Sequence, residues 1–267
     1  MRKIVHECFQ TLILRGVAIT YRDAKKDFGA IGAFSAFEEL NSILRKVSPK
    51  LIHGSLTDAM ILQNRFNLDV LYSDYPEAKK QISSDGKEKR IVTSSFNKLV
   101  VFQEYKPDEE SVQILGLAQP GNKRVFKWIL RKYILDNGNL EKYKVVLPKS
   151  NGSGAIGEVL STPLVGEPLV GYTQSFIGIG SFETEAEANA CLKYVKSKFA
   201  RTMLGILKIT QDNPPEKWKY VPLQDFTPSS DIDWSKSIHE IDLQLYRKYG
   251  LDENEINFIE THVKEMA

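Results

Sequence analysis

Along these 267 residues, the first residues whose types suggest chemistry are Asp212-Asn213-Pro214-Pro215. An Asp/Asn-Pro-Pro-aromatic loop suits amino-methyl transfer. Its backbone carbonyl and its Asp/Asn side chain accept hydrogen bonds from an exocyclic amine, and the aromatic stacks on a flipped base. Here Glu216 stands in the aromatic position, and Gly178 and Gly180 are isolated in a strand rather than in a glycine-rich cofactor loop. A helix-terminating turn accounts for the prolines. Glu104-Tyr105-Lys106 follows the apolar run 99–102 and matches half of a metal-dependent nuclease motif. That chemistry needs two acidic Mg²⁺ ligands and a lysine that orients water, and the upstream partner on offer is Asp85, in a loop. His6, His53, His239 and His262 make no ligand spacing, and Cys8 and Cys191 make no disulfide or metal pattern. Residues 149–154, Lys-Ser-Asn-Gly-Ser-Gly, offer donors and flexible backbone for an anion nest, without the lysine and hydroxyl placement of a nucleotide P-loop.

These residues need elements to position them. Composition is that of an ordinary globular chain, 42% hydrophobic and 26% charged. No stretch reads as a membrane span or a secretory signal, so no membrane partner and a cytoplasmic location are expected. Charge is uneven: residues 1–119 are net +2, residues 120–220 net +6 and residues 221–267 net −6. A basic middle beside an acidic tail fits a polyanion-binding surface with a docking or solubilising segment, and it also fits solvated helix faces.

Helical spacing of apolar residues predicts a helix over 35–47, and residues 74–90 read as a polar insertion at the main boundary. Strands are expected at 100–103, 112–117, 143–147 and 175–179. A turn is expected at 120–122, and a helix over 123–135. Thr184 with Glu187 forms a capping box that opens a helix running to about residue 209. Its apolar stripe is Ala188, Leu192, Val195, Phe199, Met203 and Ile206. Lys193, Lys198, Arg201 and Lys208 lie roughly opposite, on a face that is either solvated or aimed at phosphates. Asp233 is expected to cap a helix over 234–249 ended by Gly250, and Asp252 with Glu255 to open a last helix ending near Met266.

From about Lys123 onward the chain resembles the target-recognition region of type II restriction-modification DNA methyltransferases, particularly adenine-methylating and fused restriction-methylase proteins. The residues that carry the resemblance include Lys144-Val-Val-Leu-Pro-Lys-Ser-Asn-Gly-Ser-Gly154, Gly157-Glu158 and residues 168–180. They continue with Phe182-Glu-Thr-Glu-Ala-Glu-Ala188, residues 194–201, Val221-Pro-Leu-Gln-Asp-Phe-Thr227, Asp231-Ile-Asp-Trp234 and Ile241-Asp-Leu-Gln-Leu-Tyr246. The resemblance covers more than half of the chain, and residues 67–102 look like the stretch joining a methylase domain to its recognition domain. It departs from the family in one respect: residues 1–66 are too short for the cofactor-binding catalytic domain. A recognition fragment or a separately encoded subunit is therefore expected. The chain itself would carry no cofactor and no catalytic residue, whereas the parent enzyme would use S-adenosylmethionine.

The expected fold is α+β: a mixed sheet packed with a long amphipathic helix and a helical C-terminal hairpin. The expected division is a junction-like region (1–90), a DNA target-recognition domain (91–220) and the hairpin (221–267). The expected function is sequence-specific duplex DNA recognition. Lys149, Ser150, Asn151, Ser153, Gln174, Lys193, Lys198, Arg201, Lys208 and Gln211 are the candidate DNA contacts, with lysines and arginines on phosphates and Asn151, Gln174 and Gln211 on base edges. Tyr172 and Trp218 suit either DNA contact or the core. Two other readings stay open: a Mg²⁺-dependent restriction endonuclease using Glu104 and Lys106, and an interaction subunit whose acidic hairpin docks a separate methylase.

Overall fold

The computed structural model describes residues 33, 35–82, 89–152 and 154–266. Cys8, Asp85 and Ser153 lie outside them. The described chain belongs to one compact unit, with an α+β fold built as two small sheets, a two-stranded ribbon pairing residues 65–66 with 134–135, and two groups of helices. No described helix is long and apolar enough to cross a membrane.

The leading segment holds α1 (Glu38–Val47), the two-residue strands β1 (Met60–Ile61) and β2 (Arg65–Phe66), and the short helices α2 (Leu68–Asp74), α3 (Ala78–Gln81) and α4 (Thr93–Lys98). The middle holds β3 (Ser111–Ala118), β4 (Lys123–Leu130), β5 (Ile134–Leu135), β6 (Tyr143–Pro148), β7 (Leu164–Gly166), β8 (Val170–Tyr172) and β9 (Phe176–Phe182). α5 (Glu185–Lys196), α6 (Lys198–Gly205), α7 (Ile238–Tyr249) and α8 (Glu253–His262) follow.

One sheet has the order β1-β9-β6-β7 and is antiparallel throughout. The other, β4-β3-β8, is mixed, with β3 antiparallel to β4 and parallel to β8. Leu115, Val146, Tyr172 and Phe176 form a small apolar cluster with members from both sheets. The larger core buries one face of α1, α5, α6, α7 and α8 against β6 and β9, and Phe199 stacks on Tyr249 at 4.7 Å. A second core lies under α2–α4 and one face of β3.

Four expected elements differ. Residues 123–130 form β4 rather than a helix, paired with β3 across the turn at Pro120-Gly121. Residues 100–103 make only an isolated bridge, between Gln103 and Trp128. The helix opened by Thr184 stops at Ser197, whose ψ of 149° is extended, and α6 restarts there. The restart is doubly capped: Ser197 Oγ accepts from Ala200 N (3.1 Å), and Asp242 of α7 accepts from Lys198 N (3.0 Å) and Phe199 N (2.8 Å). Ser237, not Asp233, caps α7, while Asp233 closes a turn onto Ser235. The Thr184–Glu187 and Asp252–Glu255 capping boxes and the left-handed Gly250 (φ 67°) form as expected.

Candidate nucleic-acid interface

The loop after β6 is held by backbone bonds on two sides. Lys149 N donates to Ser175 O (3.0 Å), while Lys149 O accepts from Asn213 N (2.6 Å) and Asn151 N donates to Gln211 O (2.7 Å). Ser150 bridges Asp212. The loop therefore sits in a ladder between the β8–β9 turn and residues 211–213. Ser150, Gln174 and Gln211 are exposed, and Lys149 is half-buried.

A cationic helix face does not form. Arg201 is 2% exposed and Lys208 4% exposed. Arg201 donates to the carbonyls of Lys196 (2.9 Å), Gly157 and Glu158 (both 3.2 Å) and Lys264, and burial pushes its guanidinium down to about 10. Lys208 Nζ donates to Asn151 O (2.8 Å) and Glu158 Oε2 (3.1 Å). Lys198 pairs with Glu260, and Lys193 donates to the carbonyls of Trp234 and Lys236, each at 2.8 Å. A helix that carries cations opposite its core stripe presents them to solvent only if nothing packs on that side. Here the 155–160 loop, residues 234–236 and α8 pack there, and the cations are spent on carbonyls and carboxylates. Arg201 and Lys208 are therefore withdrawn as phosphate contacts.

Asn151 is corrected as well. It is 4% exposed; its amide donates to Val159 O (3.0 Å) and its oxygen accepts from the Ser161 hydroxyl and N–H. Its hydrogen-bonding capacity goes to holding the 151–161 loop. Tyr172 and Trp218 are fully buried, so both belong to the core. The loop and the helix meet at a buried junction rather than on one open surface, with Lys208 reaching the loop backbone from inside.

Two cations absent from the sequence-based set join Lys149. Arg65 and Arg90 are direct antiparallel partners, so their exposed side chains leave the same face of that pair. Neither pairs with a carboxylate among the described residues, and like charges held opposite one another repel. Lys149 lies below the usual lysine range, chiefly through partial burial and then through the charge of Arg90; Glu216 opposes this. The connection is physical: Gln174 N donates to Ile91 O (2.9 Å), beside Arg90, and Ser175 O accepts from Lys149. The Arg65, Arg90, Lys149 and Gln174 positions are thus linked through a few backbone hydrogen bonds, with exposed Ser150 and Gln211 beyond. Cations that no described carboxylate pairs with, concentrated at one place, suit an anion. A single sequence carries no signal that pairs residue 65 with 90 or 90 with 149.

The other motifs resolve locally. Asn213 is fully buried, so it cannot reach a base in this conformation, and Pro215 O accepts from the Thr57 hydroxyl (2.8 Å). Gly178 and Gly180 make room for the chain's own Tyr172 hydroxyl and Phe182 ring rather than for a cofactor. Glu104 pairs with Lys127 (3.3 Å) and Lys106 with Glu109 (2.6 Å), so the two residues face different partners. No cluster of three potential metal ligands occurs among the described residues. The hairpin acids are largely engaged: Asp252 and Glu255 with Lys46, Asp231 with Lys248, and Asp242 on the α6 cap. Comparison with family models and with curated proteins finds no match to this chain.

Proposed function

We propose that this chain recognises duplex DNA as the target-recognition part of a restriction-modification methyltransferase, with methyl transfer supplied by a separate domain or subunit that binds S-adenosylmethionine. The observation that carries DNA binding is the Arg65–Arg90–Lys149 cluster, which no described acid neutralises by an ion pair and which adjoins exposed Gln174, Ser150 and Gln211. Cations of this kind bind phosphates and set register, and exposed amides read base edges. The restriction-modification setting is supported by the sequence resemblance over residues 123–246.

Affinity of the full chain for a mixed-sequence duplex, measured by fluorescence anisotropy across salt concentrations, tests the reading. Arg90→Ala and Lys149→Ala are expected each to lower the slope of log affinity against log salt by about 1. An unchanged slope in both variants, or no duplex binding at all, overturns it.

A further inference from the structure

The turn joining β8 to β9, residues 173–175, is fixed from several directions. Thr173 N donates to Leu115 O of β3 (2.9 Å), Gln174 N to Ile91 O (2.9 Å), and Phe176 N closes the turn on Thr173 O (3.0 Å). Ser175 O accepts from Lys149 N (3.0 Å), and its hydroxyl meets that of Thr93 at 3.0 Å. The flanking residues Tyr172 and Phe176 are buried in the cluster shared by the two sheets. Backbone from β3, the 90–91 segment and the end of β6 therefore clamps one short turn. From it the Gln174 side chain projects exposed, with no hydrogen-bond partner among the described residues. An amide on such a mount loses little backbone entropy on binding.

Arg90 lies one residue from the backbone group that receives Gln174 N, and Lys149 is bonded to the residue after Gln174. If these two cations take phosphates, the amide between them meets a groove edge. A carboxamide sets an NH₂ donor group and an acceptor oxygen side by side in one plane. Adenine offers the matching pair in the major groove, N7 as acceptor and the N6 amino group as donor, whereas guanine offers two acceptors there. We infer that Gln174 is a specificity-determining residue that reads one adenine through N6 and N7 in the major groove. This rests on the DNA-recognition reading above.

The test selects the preferred duplex of the wild-type full chain from a randomised pool. It then measures binding of wild type and Gln174→Ala to that duplex with 7-deazaadenine at each adenine in turn. At one adenine, exchange for another base is expected to cost wild type about 10- to 100-fold, and Gln174→Ala to lose that discrimination. At the same position 7-deazaadenine, which lacks the N7 acceptor, weakens wild type and leaves Gln174→Ala unchanged. Gln174 is exposed, so the variant keeps the wild-type melting temperature. Three outcomes overturn the inference. If wild type binds no duplex, it falls together with the reading beneath it. If Arg90→Ala lowers the salt slope while Gln174→Ala selects the same site with the same discrimination, it falls alone. If discrimination is lost at guanine or a pyrimidine instead, the adenine assignment fails.

Discussion

Replacing Asn151 with alanine strands the Ser161 N–H and the Val159 carbonyl beneath the loop, since both are bonded to its side chain. The expected cost is about 1–3 kcal/mol of folding stability, read as a shift in the urea midpoint. Any loss of DNA affinity should fall on preferred and random duplexes alike. A selective loss at the preferred site would return Asn151 to the set of base readers. Asp242 gives a prediction in pH. Burial pushes its carboxyl up to about 6, against the pull of the Phe199 and Lys198 N–H groups. An unfolded aspartate titrates near about 3.9, so the native state holds this proton more tightly. That contribution to stability is fully present below about pH 4 and is lost as pH rises through about 6. Asp242→Asn keeps an acceptor oxygen for the α6 N-terminus and removes the titration. Its stability should vary less than that of wild type between pH 4 and pH 6 in urea unfolding; parallel curves would place the titrating group elsewhere.

At the scale of elements, the break at Ser197 and the β3–β4 hairpin invite substitution. Ser197→Ala removes the side-chain acceptor for Ala200 N and should cost about 1 kcal/mol, with Asp242 still holding the first two donors. A much larger loss would show that the capping is not shared. Gly116 lies on β3 where the Phe96 ring passes, 2.5 Å from where a Cβ would be placed. Gly116→Ala should destabilise by roughly 1–3 kcal/mol, and a thermal shift near zero would mean that the ring moves freely. These elements also show where the sequence was readable. Capping boxes at Thr184 and Asp252 and the glycine at 250 act over a few residues, so they were legible. The α5–α6 break was not, because it depends on Asp242, far along the chain. β4 was misread because Val125, Trp128 and Ile129 fit a helical stripe as well as a strand. The turn just before it, joined to the strand 112–117, was the better signal. At the candidate site, Lys149, Ser150, Gln174 and Gln211 were legible as polar residues on predicted loops. The burial of Asn151, Arg201 and Lys208 was not, since it follows from packing of the 155–160 loop and α8.

At the scale of the molecule, Glu260 with Lys198 is an ion pair between the acidic tail and the basic middle, whereas Asp233 with Lys236 pairs within the tail. These pairs are partly or largely exposed and contribute little each. Raising salt should therefore weaken DNA binding far more than folding. Comparing the duplex affinity and the thermal midpoint across the same salt series checks this, and a midpoint that falls in step with affinity would contradict it.

The same chain connectivity bears on how recognition specificities are exchanged between proteins. β1 lies at the edge of the four-stranded sheet against β9, and α1 contributes Leu40, Ile43, Leu44 and Val47 to the larger core. A chimera cut at residue 90 would carry Gln174 and Lys149 away from Arg65, Arg90 and the strand that covers β9. Such a graft is expected to show no cooperative melting transition. A graft spanning residues 33–266 moves the reading turn together with its supports. On the proposed DNA-recognition reading, the unit that could be traded between proteins is thus larger than the segment assigned to the DNA, and a new specificity would be more economically reached by changing the side chain at 174 than by exchanging the loops around it.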